Sequence, residues 1–236
     1  MQSLRHLKKI QVMLEKYGIS KTIYNIPSGI NMEQYESDKS DKRRKLRASL
    51  GIEPDECMLI YVGRLAKEKN IEELFGFLAK ISPEQRMMIV GDGLYYPELE
   101  KTADALGVRK QLIFTGMVHQ EQVPDYYAIG DIFISASNSE TQGLTYMEAM
   151  ASALPLLCKA DDCLKDVIAN GKNGLLYHTE EELIHHFEQL KNDFSYRKRI
   201  GIMARQSIQE RYSIPAFAAS CLRVYHESIQ SVEVCV

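Results

Sequence analysis

Two hydrophobic patterns alternate along the chain. Short apolar runs occupy 58–62, 87–90, 112–114, 132–135, 156–158 and 175–177. No polar residue alternates within them, so each reads as a strand buried on both faces, as in a parallel sheet. Stretches with apolar residues three or four apart separate the runs and predict helices over 70–80, 96–106, 121–129, 144–152, 162–169 and 179–192. Strand and helix in strict turn give a doubly wound α/β sheet. The two ends stand outside this pattern. Residues 1–17 predict an amphipathic helix through Leu4, Leu7, Ile10, Met13 and Leu14, stopped by Gly18. Residues 194–213 and 214–231 predict two terminal helices, the second started by Pro215.

Composition narrows the class without naming a function. At 236 residues, 45% hydrophobic and 26% charged, the chain suffices for one large domain or two small ones. A net charge of −3 and the lack of a basic stripe with interleaved aromatics argue against a nucleic-acid partner. The basic cluster 39–47 is mixed with Ser and Asp and reads as a solvated helix, with a membrane-surface role as its alternative. Cysteines 57, 158, 163, 221 and 235 form no Cys-x-x-Cys pair and read as reduced thiols of a cytoplasmic protein. The N-terminus lacks the apolar segment of a signal peptide, and no run approaches the roughly 18 to 20 apolar residues that span a bilayer. Any membrane contact is therefore expected to be peripheral.

The densest chemistry lies in Ser139-Glu140-Thr141-Gln142-Gly143-Leu144-Thr145-Tyr146-Met147-Glu148-Ala149-Met150. Two acids, Glu140 and Glu148, flank a Gly-Leu-Thr turn that opens a helix after a strand. A helix N-terminus presents unpaired N–H groups on which an anion can sit. Carboxylates would repel a phosphate, but they only accept hydrogen bonds and so suit the hydroxyls of a sugar or ribose. Phosphate on the turn with sugars on the acids describes a nucleotide-sugar site. The plainer reading is a helix cap from Thr141 or Asn138, with Glu148 as an exposed helix glutamate.

Other candidates carry less. Gly91-Asp92-Gly93 lacks a third glycine at dinucleotide-loop spacing and reads as a tight strand-to-helix turn. His119 reads as a surface or capping residue, and His178, His185 and His186 are not grouped with acids or cysteines in a metal pattern. No Asp-x-Asp motif or His/Cys cluster appears, so no metal is expected. Tyr126-Tyr127 reads as packing, and Lys67 as solvated charge.

The Glu-x7-Glu pair with Gly-Leu between its acids resembles the signature of the retaining GT-B glycosyltransferases, the family 4-like group 1 enzymes. Tyr61-Val62-Gly63-Arg64-Leu65 with Lys69-Asn70 is similar to that family's diphosphate-binding segment. Ile89-Val90-Gly91-Asp92-Gly93, Phe114-Thr115-Gly116-Met117-Val118, and Asp166-Val167-Ile168 with Asn173-Gly174-Leu175-Leu176 follow in the family's order, so the match runs over about 26–177. One departure is Ala160-Asp161-Asp162-Cys163-Leu164, where the family often carries a small pair. Asp161 and Asp162 would cap the helix there, and this form together with Glu140-Thr141-Gln142-Gly143-Leu144-Thr145 most resembles bacterial glucosyltransferases acting on glycolipids.

The resemblance implies an α/β, Rossmann-like doubly wound parallel sheet with flanking helices, one half of a GT-B fold. It implies residues 1–30 as a helix and connecting segment from a missing N-terminal domain, 31–213 as the nucleotide-sugar-binding domain, and 214–236 as a C-terminal crossover helix. Glu140, Arg64 and Lys69 become the catalytic set, with Glu140 positioning the sugar and the two cations stabilising the leaving diphosphate. Donor binding falls to Gly63, Arg64, Lys69, Met117, Val118, Glu140, Gly143, Leu144, Thr145 and Glu148, with Met117 and Val118 cradling the base and Glu148 the ribose. The implied reaction is retaining transfer of a hexose, commonly from a UDP-sugar, to an acceptor hydroxyl on a glycolipid or polysaccharide, without cofactor or metal. The implied partners are the nucleotide-sugar donor and an N-terminal acceptor domain or partner chain, with room for peripheral contact at the inner membrane face of the cytoplasm and none for nucleic acid. A non-catalytic nucleotide-sugar-binding subunit is the alternative, and a sugar-nucleotide epimerase a weaker third.

Overall fold

The computed structural model describes residues 13–19, 22–24, 26–35, 40–137, 140, 142–161 and 164–233, with side chains to residue 230. Leu4, Leu7 and Ile10 of the first helix, the Asn138 and Thr141 caps, the Asp162 cap, and Cys163 and Cys235 lie outside the described residues. Strands β1 (Leu59–Val62), β2 (Met87–Val90), β3 (Leu112–Gly116), β4 (Ile132–Ser135), β5 (Leu156–Lys159) and β6 (Leu175–Tyr177) coincide with the predicted apolar runs to within two residues at either end. Every pairing is parallel, in the order β3-β2-β1-β4-β5-β6.

Side-chain period explains the absence of polar alternation. Ile60, Val62, Met88, Val90 and Phe133 join one core, while Leu59, Tyr61, Met87, Ile89, Ile132 and Ile134 join another on the opposite face. The first core is covered by α1 (Ser40–Ser49), α4 (Val123–Ile129), α5 (Leu144–Ala151) and α7 (Phe194–Arg211). The second is covered by α2 (Ile71–Leu78), α3 (Tyr96–Ala105) and α6 (Glu180–Asn192). The chain winds from β1 out to β3, then returns to β4 on the other side of β1. Loops leaving β1 and β4 therefore diverge, and a crevice opens at their C-terminal ends, where doubly wound sheets take ligands.

The described parts of the two ends follow the pattern. Gly18 takes φ +86° and ends the helical turn at residues 13–16. The last helix, α8 (Ile214–Glu233), carries Pro215 in its first turn. Ile30 ties the incoming segment to that helix start, its N–H donating to Tyr212 O at 2.7 Å and its carbonyl accepting from the Ile214 N–H at 3.3 Å.

Two expectations are corrected. Residues 164–167 form turns, not part of a helix over 162–169. Leu164, Val167 and Ile168 are buried at helical spacing, which is why the pattern read as a helix. The buried Asn173 captures the backbone instead: its Oδ1 accepts from the Ala169 N–H at 2.7 Å and its Nδ2 donates to Val167 O at 3.1 Å. Side-chain amides that satisfy backbone groups in this way compete with helix continuation.

The second correction concerns the basic cluster. Arg47 on α1 is only 3% exposed. Its guanidinium donates to Ile129 O at 2.9 Å, Asp131 Oδ2 at 3.1 Å and Glu53 O at 2.7 Å, and also to Glu56 O. Arg43 donates to Ala128 O, to Gly130 O at 3.0 Å and to Asp131 Oδ1 at 2.8 Å. Asp131 also accepts the Met58 N–H at 2.8 Å, so one carboxylate joins α1 to the starts of β1 and β4. Only the outer residues, such as Arg44 paired with Asp41, stay in water.

Candidate functional site at the C-terminal edge of the sheet

The crevice between the β1 and β4 ends is a cleft of about 330 Å³. Tyr61, Val62, Gly63, Arg64 and Lys69 line it from the β1 side, and Ser135, Glu140, Gln142, Gly143, Leu144 and Thr145 from the β4 side. Seven of the predicted site residues, namely Gly63, Arg64, Lys69, Glu140, Gly143, Leu144 and Thr145, thus share one cavity although their segments lie about seventy residues apart.

The β1 side is held from behind. A Cβ on Gly91 would lie 2.0 Å from Gly63 O, and one on Gly93 would lie 2.1 Å from Leu65 O. Glycine is needed there so that the β2 exit can back the cleft loop at backbone contact. The Leu65 N–H donates to Asp92 O at 2.9 Å across this contact. Gly91-Asp92-Gly93 is thus a tight strand-to-helix turn whose work is to support the cleft, not to line it. Tyr61, whose hydroxyl is pushed above its ordinary range by burial, donates to Arg64 O at 3.2 Å and fixes the backbone of the exposed arginine. The Arg64 side chain is 70% exposed and pairs with Glu68 at 2.6 Å.

On the β4 side, Gly143 takes φ +66° and α5 begins without a side-chain cap. Its first turn points an uncapped N-terminus into the cleft, the polarity that attracts an anion. Between the two sides stands one ion pair. Lys69 Nζ lies 2.7 Å from Glu140 Oε1, with the side chains only 18% and 12% exposed. A cation and an acid thus face each other across the crevice, shielded enough to matter electrostatically.

The remaining predicted residues lie apart from this cavity. Glu148, on α5, does not line it and is half-buried, so it is not the exposed glutamate of the plainer reading. Burial raises its carboxyl pKa from the ordinary 4.5, an effect countered by the hydroxyl of the fully buried Tyr127, which donates to Glu148 Oε2 at 3.0 Å. The same hydroxyl lies 3.0 Å from Thr145 O, on the cleft-lining turn. Met117 is 82% exposed and Val118 half-buried against the first core, both beyond β3 at the sheet edge, two strands from β1. His119 and Lys67 are exposed, and among the described residues no three His, Cys, Asp or Glu side chains group as metal ligands.

Sequence reasoning missed two contributors. Gln142 lines the cleft and accepts from Ser28 Oγ at 3.0 Å, tying the incoming segment to the site. Its place between the two acids was the available signal. Tyr127 was assigned to packing alone; its ring does pack in the core, but its hydroxyl holds Glu148.

Residues 42–207 match the family model for glycosyl transferases group 1. An alpha-monoglucosyldiacylglycerol synthase of Acholeplasma laidlawii is 36% identical over 209 residues, covering 86% of this chain and 52% of the relative. The chain thus spans about half the length of that relative. The crystal structure of Anabaena HepE in complex with UDP superposes with a TM-score of 0.81 at 22% identity, covering 93% of this chain and 62% of that one. The C-terminal domain of a group 1 family protein, LpcC from Francisella tularensis, superposes with a TM-score of 0.66 at 22% identity, covering 79% of this chain and all 100% of that domain. The chain therefore belongs to the group 1 glycosyl transferases and has the fold of the C-terminal half of a GT-B protein.

Proposed function

We propose that this chain binds a nucleoside-diphosphate sugar as the donor half of a retaining hexosyltransferase, with UDP as the nucleotide. The observation that carries the reading is the Lys69–Glu140 pair set beside the uncapped N-terminus of α5 at the sheet's reversal point. Breaking the glycosidic bond leaves growing negative charge on the diphosphate. Lys69, Arg64 and the Gly143–Thr145 turn line the cleft and are proposed to stabilise that charge, so the reading requires no metal. Glu140 then accepts hydroxyls of the transferred sugar, and Glu148, with Oε2 held by Tyr127, turns its other oxygen to the ribose. Met117 and Val118 are assigned to the base through their main chain.

The acceptor belongs to the part of the molecule that would face this cleft. Residues 1–30 and 214–236 are proposed as connections to it, and they meet where Ile30 O accepts from the Ile214 N–H at 3.3 Å. On α8, Ile214, Leu222, Tyr225 and Ile229 are exposed, a surface that suits either an acceptor domain or a partner chain. The second of these is the reading as a non-catalytic donor-binding subunit. A lipid-linked hydroxyl at the inner face of a membrane is the proposed acceptor, in keeping with the name of the Acholeplasma relative. No described helix is long and apolar enough to cross a membrane.

Calorimetric titration of the chain with UDP, UDP-glucose, GDP and ADP, with and without magnesium, tests the reading. Binding of one nucleotide independent of metal is expected; no binding by any of them would remove the donor assignment. In Glu148→Gln, UDP affinity should fall about tenfold, the scale of one charged hydrogen bond. Because burial raises the Glu148 pKa, its protonated form is favoured by folding, and ionisation at neutral pH opposes stability. The same variant should therefore melt no lower than the parent. UDP affinity should also weaken on acidification, beginning above the ordinary carboxylate range, as Glu148 gains its proton and ceases to be a charged acceptor.

A further inference from the structure

Lys69 reaches the cleft because of what happens one residue later. Asn70 takes φ +52°, ψ +39°, a left-handed conformation uncommon outside glycine, and it joins the turn Lys67–Lys69 to the start of α2. Its side-chain amide donates to Glu73 Oε2 at 2.6 Å and, more loosely, to Ala136 O at 3.4 Å beyond β4. Glu73 is more than a partner for this amide. Its Oε1 accepts from the Tyr177 hydroxyl at 3.0 Å, at the end of β6, and its Oε2 also accepts from Lys159 Nζ at the end of β5.

A carboxylate on the helix that follows β1 is therefore fastened to the ends of β5 and β6, across the reversal point of the sheet. Lys69–Glu140 and Glu73–Lys159 each bridge the halves of the sheet. Lys69–Glu140 lies in the cleft, and Glu73–Lys159 lies outside its lining. Asn70 connects them through the backbone. From this geometry we infer that Glu73 is a positioning residue: by locking Asn70 in the left-handed conformation and anchoring α2 to β5 and β6, it aims the Lys69 ammonium at a donor diphosphate.

The inference rests on the assignment of Lys69 to that diphosphate, and the test separates the two. The full chain is titrated with UDP and with UMP, which share base and ribose but differ by the β-phosphate. In Lys69→Ala, UDP affinity should drop about tenfold or more while UMP affinity stays within about twofold. Glu73→Ala should reproduce that split at about three- to tenfold. Glu73→Gln, which keeps an acceptor for Asn70 but loses the charge pair with Lys159, should reproduce it at smaller size and serves if the alanine variant does not fold.

The direction of the change is diagnostic. Simple electrostatics predicts the reverse, because deleting an acid and freeing Lys159 makes the region more positive and should tighten UDP binding. A merely structural role would lower UDP and UMP affinity together. Either of those results, or an unchanged UDP to UMP ratio in both Glu73 variants, overturns the inference while the Lys69 assignment stands. An unchanged ratio in Lys69→Ala, or no UDP binding by the parent, overturns both.

Discussion

Replacing Arg47 with alanine should destabilise the fold by about 3 kcal/mol, a lowering of the melting temperature by roughly 6–12 °C for a chain of this size. The side chain is 3% exposed and satisfies three backbone carbonyls and one carboxylate oxygen. Its loss would strand these acceptors and remove one of two cations facing Asp131. The loss is at the low end for a broken buried pair because Arg43 and the Met58 N–H still hold that carboxylate at 2.8 Å each. Arg47→Lys should recover only part of the loss, since one ammonium cannot span acceptors on both the 129–131 and the 53–56 segments. Arg44→Ala, on the same helix but in an exposed pair, should shift melting by no more than about 1 °C. Thermal unfolding of the three variants checks this. Equal melting of the Arg44 and Arg47 variants would mean that the arginine network contributes nothing measurable.

The same network shows where sequence reasoning stops. The strands were legible because their apolar runs are complete within three to five residues. The cluster 39–47 was not, because composition shows charge but not its partner. Asp131 lies 84 residues beyond Arg47, and no local period announces such a pairing. The misread helix at 162–169 failed for a related reason. Leu164, Val167 and Ile168 have helical spacing, but Asn173, further along, decides the backbone.

In the site, Arg64, Lys69 and Glu140 were legible as types in ordered motifs. Their meeting in one cleft followed from the doubly wound topology, which places the β1 and β4 loops side by side. What the motifs could not carry was the internal pairing of Lys69 with Glu140, the capture of Glu148 by one particular tyrosine of a doublet, and the tie from Ser28 to Gln142. Each depends on side chains whose segments meet only in the folded chain.

That internal pairing sets the second large effect, on binding. An arriving diphosphate must share Lys69 with Glu140, and the acid loses part of its compensation as it does so. In Lys69→Ala the phosphate loses a charged contact worth about 1.5–3 kcal/mol, at least tenfold in affinity. It also meets a Glu140 carboxylate that is mostly shielded from water and no longer paired. The total loss should therefore exceed that of the contact alone, on the order of a hundredfold. Adding Glu140→Gln removes the stranded charge, so the double variant should bind UDP more tightly than Lys69→Ala, with a deficit of about tenfold. Glu140→Gln alone should hold or improve UDP affinity, because Lys69 is freed, yet it should erase any advantage of UDP-glucose over UDP. The coupling is thus read as a difference of differences, in which effects common to both variants cancel. Equal UDP affinity for the single and double Lys69 variants would show that Glu140 does not oppose the phosphate. Unchanged affinity in Lys69→Ala would show that the diphosphate does not reach this cation at all.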